Sequence, residues 1–130
     1  MKQMIIGIGV DIVKTARFEN MTQHFMERVF TSRERAYLLT KGHVSAAGLF
    51  AAKEAVAKAL GTGFRGFWPD DIEIVHDAMG KPKVVLHKEA ALLARKLAKG
   101  KRRFGHGYTV YLSISHTDTD AIAYAMVQRV

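Results

Sequence analysis

The run Phe50-Ala51-Ala52-Lys53-Glu54-Ala55-Val56-Ala57-Lys58-Ala59-Leu60-Gly61-Thr62-Gly63 constrains this chain more than any other stretch. Alanine gives up no side-chain entropy in a helix, so the segment is expected to be helical. Ser45 is expected to cap its start and Gly61 to take the left-handed position past its end, which sets the helix at about residues 45–60. Four-residue spacing puts Glu54 and Lys58 on one face, with Phe50 one turn earlier. As a surface ion pair they would add only about 0.2–0.5 kcal/mol. Their small apolar neighbours, and a second isolated acid at Asp11, point instead to a charged site.

That second acid lies near the end of a strand expected over residues 4–12. Ile6, Ile8, Val10 and Ile12 share one face by twofold alternation; Ile5, Gly7, Gly9 and Asp11 share the other. Glycines weaken a strand and mark a place where something must approach the backbone closely. The pattern fits a hollow with a carboxylate at its end. A helix cap at Asp11 fits the local residues equally well.

Two bare carboxylates brought together repel, and a divalent cation between them resolves the repulsion. The chain has no cysteine, so any metal is held by oxygen or imidazole, which favours Mg2+ with Mn2+ as a substitute. Lys58, one turn beyond Glu54, would then serve as a point charge for a phosphate oxygen. A metal and a lysine on a pyrophosphate suit phosphoryl or phosphodiester transfer. No phosphate loop is present, and Gly7-Ile8-Gly9 is too short for a dinucleotide fingerprint. His116, between Ser115 and Thr117 at a strand end, is open to a structural or a phosphate-binding reading.

The rest of the chain supplies a scaffold. A short helix is expected over residues 15–24, and Arg17, Met21, Phe25 and Arg28 form one stripe by their spacing. Such a stripe is either core covered by arginine stems or a surface for an acidic helix. Thr31-Ser32-Arg33-Glu34 has the form of a capping box and opens a helix to about residue 40. Residues 61–71 read as a loop. Strands at 72–76 and 83–87 flank the turn Met79-Gly80-Lys81-Pro82, a helix spans 88–99, and strands follow at 108–117 and 121–130. Lys101-Arg102-Arg103 is a basic knot. Strands and helices do not alternate regularly, so the class is α+β, an antiparallel sheet packed with helices, in one domain of residues 1–130.

Twenty basic residues against twelve acidic ones give a net charge of +8, which favours an anionic partner. A basic domain that binds RNA or another polyanion, without catalysis, would share that charge and bind with steep salt dependence. It would leave the isolated acids unexplained. No signal peptide or bilayer-spanning stretch is recognisable, so a cytosolic protein with no membrane partner is expected.

Gly7-Ile8-Gly9-Val10-Asp11-Ile12, Phe50-Ala51-Ala52-Lys53-Glu54-Ala55, Lys58, Gly61-Thr62-Gly63, Gly80-Lys81-Pro82 and Ser113-Ile114-Ser115-His116 occur in that order along nearly the whole chain. Together they resemble the small phosphopantetheinyl transferases known as holo-[acyl-carrier-protein] synthases. The resemblance implies transfer of 4'-phosphopantetheine from coenzyme A to a serine of apo acyl carrier protein, with release of adenosine 3',5'-bisphosphate. It implies Asp11 and Glu54 as magnesium ligands, and Asp11, Glu54 and Lys58 as the catalytic set. Lys53, Lys58, Gly61, Ser115, His116 and Thr117 would bind coenzyme A, while Arg17, Met21, Phe25 and Arg28 would dock the carrier. It further implies a homotrimer with active sites between subunits, and no nucleic-acid partner. Two positions depart from the pattern. Leu49 stands where many members carry arginine, and Val13 stands where larger relatives carry a third acid.

Overall fold

The computed structural model describes residues 4–101 and 107–130. Strand β1 spans Met4–Lys14, helix α1 Gln23–Val29, α2 Ser32–Leu38 and α3 His43–Ala59. Strands β2 (Ile72–His76) and β3 (Pro82–Leu86) precede α4 (Lys88–Lys99), β4 (Tyr108–His116) and β5 (Asp120–Arg129). The strands form two antiparallel sheets, one in the order β1-β5-β4 and the other a β2-β3 pair. The expected α+β class is the observed one. Arg102 and Arg103 of the basic knot lie outside the described residues.

Helix α3 lies against the inner face of the larger sheet, and alanine explains how. Ala47, Ala51, Ala55 and Ala59 of the helix are buried, as are Ala121, Ala123 and Ala125 of β5. Small side chains on both surfaces let helix and sheet approach more closely than leucines would. On β1 the approach reaches the backbone itself. A Cβ on Gly7 would stand 2.0 Å from the Ala59 carbonyl oxygen, and one on Gly9 would stand 2.0 Å from that of Ala55. The glycine face of β1 is therefore no open hollow, as the alternation suggested; α3 fills it.

Two other expectations change. Ser45 does not cap α3: Gly42 occupies the N-cap, and Ser45 already donates its N–H to the Gly42 carbonyl within the first turn. Gly61 does take the left-handed conformation, at φ +89°. The helix expected over residues 15–24 is instead a 3-10 turn at Thr15–Phe18, a break, and then α1. Thr22 forces the restart, because its hydroxyl accepts the Phe25 N–H and makes it an N-cap rather than an interior residue. The capping box at Thr31 and Glu34 forms as expected.

The isoleucine face of β1 points away from the core. The pairing with β5 slips between Ile5 and Gly7, so Ile6 turns partly inward while Ile8, Val10 and Ile12 stay exposed, Ile12 by 63%. Across the sheet, Ile12 is level with Ile122 and Ser115, Val10 with Tyr124 and Ser113, and Ile8 with Met126 and Tyr111. Ile122, Tyr124 and Tyr111 are exposed too. No helix among the described residues is long and apolar enough to cross a membrane.

Candidate active site

The contact between β1 and α3 sets which side chains meet. Gly7 sits at Ala59 and Gly9 at Ala55, so strand and helix run in opposite directions. Two strand residues advance about 6.6 Å. Four helix residues advance about 6 Å. The two elements therefore stay in step, and the next inward residue of β1, Asp11, comes level with the turn before Ala55. That turn carries Glu54.

The side chains agree with this register. Lys58 Nζ lies 3.1 Å from Asp11 Oδ1 and donates to the Val10 carbonyl at 3.0 Å. Burial pushes the Glu54 carboxyl above its usual range, and the negative charge of Asp11 pushes it further; Lys58 and Arg17 pull the other way. Asp11, Glu54, Lys58 and Arg17 thus share one electrostatic neighbourhood. The Arg17 guanidinium lies 5.6 Å from the centre of the Phe18 ring and 5.5 Å from that of Phe50.

The donor set suits a hard divalent cation. Asp11 is 16% exposed at its side chain, and its Oδ2 is buried with no hydrogen-bond partner. An orphaned carboxylate oxygen carries a desolvation cost that a cation would offset. Among the described residues, Glu54 forms no ion pair, and no three His, Asp or Glu side chains converge as a ready-made cage. Two carboxylates with water and phosphate oxygens completing the shell is a usual environment for Mg2+. Val13, where a third acid was lacking in the sequence, is buried in the core.

The other expected site residues divide. Lys53 is not a cofactor-binding group. Its side chain is 0% exposed, its ammonium is 2.7 Å from Glu34 Oε1, and it donates to the carbonyls of Pro69 and Ile72. Leu49 is buried in the core, so no basic group reaches solvent from that position. Gly61 follows Lys58 at the C-terminal end of α3. Ser115, His116 and Thr117 are exposed at the far end of β4. Ile114, two residues before His116, packs on Gly48. From Gly48 to Gly61 the helix axis covers about 20 Å. One chain therefore holds two separated halves of the expected coenzyme-binding set.

The stripe of Arg17, Met21, Phe25 and Arg28 is also divided, because one helix does not carry it. Arg17 stands at the Glu54 end, while the Arg28 guanidinium lies 5.3 Å over the exposed Trp68 ring. Phe25 links the two ends through edge contacts with Phe18 and Phe30. Trp68 lies within the segment read as a loop at residues 61–71, where the Trp68-Pro69 dipeptide is its one sequence signal. A hollow of about 980 Å3 lies beside Trp68 between Arg28, Phe64 and Lys88, and neither Asp11 nor Glu54 lines it.

Comparison with known proteins matches the sequence and fold of the chain to one family. A sequence model described as the 4'-phosphopantetheinyl transferase superfamily matches residues 7–112. The chain is similar to the holo-[acyl-carrier-protein] synthase of Clostridium perfringens, at 46% identity over 130 residues, covering 96% of this chain and 95% of that protein. Its fold is similar to that of a Bacillus anthracis holo-(acyl-carrier-protein) synthase in complex with CoA (3',5'-ADP), at TM-score 0.76 and 36% identity, over 97% of this chain and 98% of that one. The Helicobacter pylori holo-[acyl-carrier-protein] synthase in complex with coenzyme A is similar at TM-score 0.74 and 32% identity, over 92% of this chain and 98% of that one.

Proposed function

The chain belongs to the 4'-phosphopantetheinyl transferase superfamily, and from that premise we propose how its residues carry out the transfer. The enzyme moves 4'-phosphopantetheine from coenzyme A to a serine of apo acyl carrier protein. The observation that carries the assignment of roles is the backbone contact of Gly7 and Gly9 with α3, which holds Asp11 against the face of Glu54 and Lys58.

Asp11 and Glu54 would hold a magnesium ion together, as the unpartnered Asp11 Oδ2 and the mutual repulsion of the two acids favour. When bound, the ion supplies positive charge to the pyrophosphate of coenzyme A. Lys58 leaves Asp11 for a phosphate oxygen and stabilises charge on the departing bisphosphate, as a half-exposed lysine on a flexible stem can. The serine hydroxyl attacks phosphorus, the bond to the bisphosphate oxygen breaks, and Lys58 is placed to give that oxygen a proton. The serine proton passes to a base within the site.

The separated coenzyme-binding halves are reunited in a homotrimer. Ser115 lies level with Ile12 and Ile122 on the exposed apolar face, so packing another subunit on that face favours supply of the 115–117 corner to a neighbour's Lys58 and Gly61. An uncovered apolar face of this kind is a usual mark of an interface. The excess of positive charge and the Arg17 to Arg28 surface favour an acidic carrier helix as the protein partner. The protein acts in the cytoplasm.

The test is direct. The chain is mixed with coenzyme A, Mg2+ and apo carrier protein, and carrier mass is followed. The phosphopantetheine increment is expected, and chelation of the metal is expected to suppress it. Arg17→Ala is expected to raise the KM for carrier several-fold more than the KM for coenzyme A. No mass gain, together with tight and salt-sensitive RNA binding, would remove the enzyme reading.

A further inference from the structure

Trp68 is the one tryptophan of the chain and is 60% exposed, although a ring of its size usually finds cover. It is not loose. The Arg28 guanidinium lies 5.3 Å over its ring, and Pro69 behind it begins a 3-10 turn whose carbonyl accepts the buried Lys53 ammonium. The position of the ring is therefore braced from the core. Between this ring and α1 lies a cavity of about 290 Å3, with Phe25, Val29, Trp68 and Pro69 as apolar walls and His24 and Arg28 on its border. No carboxylate lines it. The wider hollow that also borders Trp68 is lined by Asp70, Asp71 and Glu89 as well as by Arg28 and Lys88. The smaller cavity thus carries basic groups and no carboxylate, while the wider hollow carries both signs, so charge favours an acidic segment at the smaller one.

We propose that the cavity between α1 and Trp68 is a socket for an apolar side chain of the acidic carrier helix, and that Trp68 is a specificity-determining residue for the carrier. The proposal rests on the reading of Arg17 to Arg28 as the carrier surface, and it is continuous with that surface, since Phe25 and Arg28 belong to both. An aromatic wall beside an arginine is the composition of an interface hot spot. The apolar side chain enters the socket while an acid on the next turn of the same helix meets Arg28.

Steady-state kinetics with carrier and coenzyme A varied separately test this. Trp68→Ala is expected to raise the carrier KM by roughly tenfold, on the scale of one hot-spot side chain. The coenzyme A KM should stay within twofold, on the order of experimental error for an untouched site. Trp68→Phe keeps an aromatic wall and should recover most of the loss. Trp68→Glu, which puts like charge against the helix, should exceed Trp68→Ala, and the excess should shrink in high salt. Trp68 is exposed, so these variants are expected to keep the wild-type unfolding midpoint. An unchanged carrier KM in all three variants, or equal rises in both KM values, overturns the proposal. If Arg17→Ala raises the carrier KM while the Trp68 variants do not, the docking reading stands and the socket falls. If the wild-type chain transfers nothing, both fall.

Discussion

Lys53 and Glu54 are neighbours in the chain and have opposite fates. Both are charged, both sit on α3, and about 100° of helical turn separates them. Lys53 points into the region between α3, α2 and β2. There Glu34 accepts its ammonium, and Glu34 also receives the N–H groups of Thr31 and Ile74. Glu73 nearby takes the Thr31 hydroxyl and lies 3.0 Å from the His87 ring, so charge in this region is answered within the chain. Glu54 points to β1, where its nearest charged neighbours include another acid, and burial and Asp11 together raise its proton affinity. The first cluster is closed and holds the fold. The second leaves a buried oxygen of Asp11 without a partner and Glu54 without an ion pair among the described residues, which is what a site that recruits a cation requires. Charge type alone does not separate structural from functional groups; satisfaction within the chain does.

Removing one member of the closed cluster is expected to have the largest effect on stability. Lys53→Ala leaves the Glu34 carboxylate buried without its cation and should lower the unfolding free energy by about 3–5 kcal/mol. Urea denaturation checks this. Lys53→Met with Glu34→Leu should recover only part of the loss, because the Ile74 N–H is then left without an acceptor. Full recovery would show that the pair contributes no more than packing.

The seam that joins the two clusters comes next. Gly9→Ala drives a methyl into the Ala55 carbonyl and should cost about 1–3 kcal/mol, toward the upper end because backbone must move. It also withdraws Asp11 from Glu54, so transfer activity should fall by more than the small stability loss explains. A variant that folds less well yet turns over at the wild-type rate would break the link between strand contact and site.

The open cluster should respond least in stability, and with the opposite sign. Glu54 holds its proton more tightly when folded, so its contribution is favourable below the ordinary glutamate range and is lost as pH rises through the raised value. Glu54→Gln is therefore expected to raise the denaturation midpoint of the metal-free protein slightly at neutral pH and to flatten its decline with pH. Turnover should fall at least about a hundredfold, the upper range for groups that only support a metal ligand. Loss of stability in the variant would place Glu54 with Lys53 among the structural charges.

Much of this was legible in the chain because it is local. Thr31 and Glu34 announce a helix start through hydrogen bonds three residues apart, and the Gly80 turn and the helix before Gly100 follow from similarly short-range rules. Glu54 and Lys58 share a face by helical geometry alone. Lys53 misled for the opposite reason. Its partners lie nineteen, sixteen and nineteen residues away, and nothing in its own neighbourhood distinguishes a buried lysine from an exposed one. The single helix expected under the arginine stripe failed because Thr22 has two uses, helix interior and cap, and only the path of the chain chooses between them.

The sequence by itself determined the inventory: two lone acids, a lysine one turn from one of them, no thiol, and glycines on the acid's side of a strand. Those are properties of residue type and short spacing, and periodicity carries them without knowledge of the fold. Only the tertiary structure decided that α3 is what the glycines admit, that Asp11 is thereby set beside Glu54, and that the isoleucines of β1 face outward. These outcomes depend on contacts between residues more than forty positions apart, such as Lys58 with Asp11. Such contacts form when packing of the whole chain selects one register of strand on helix.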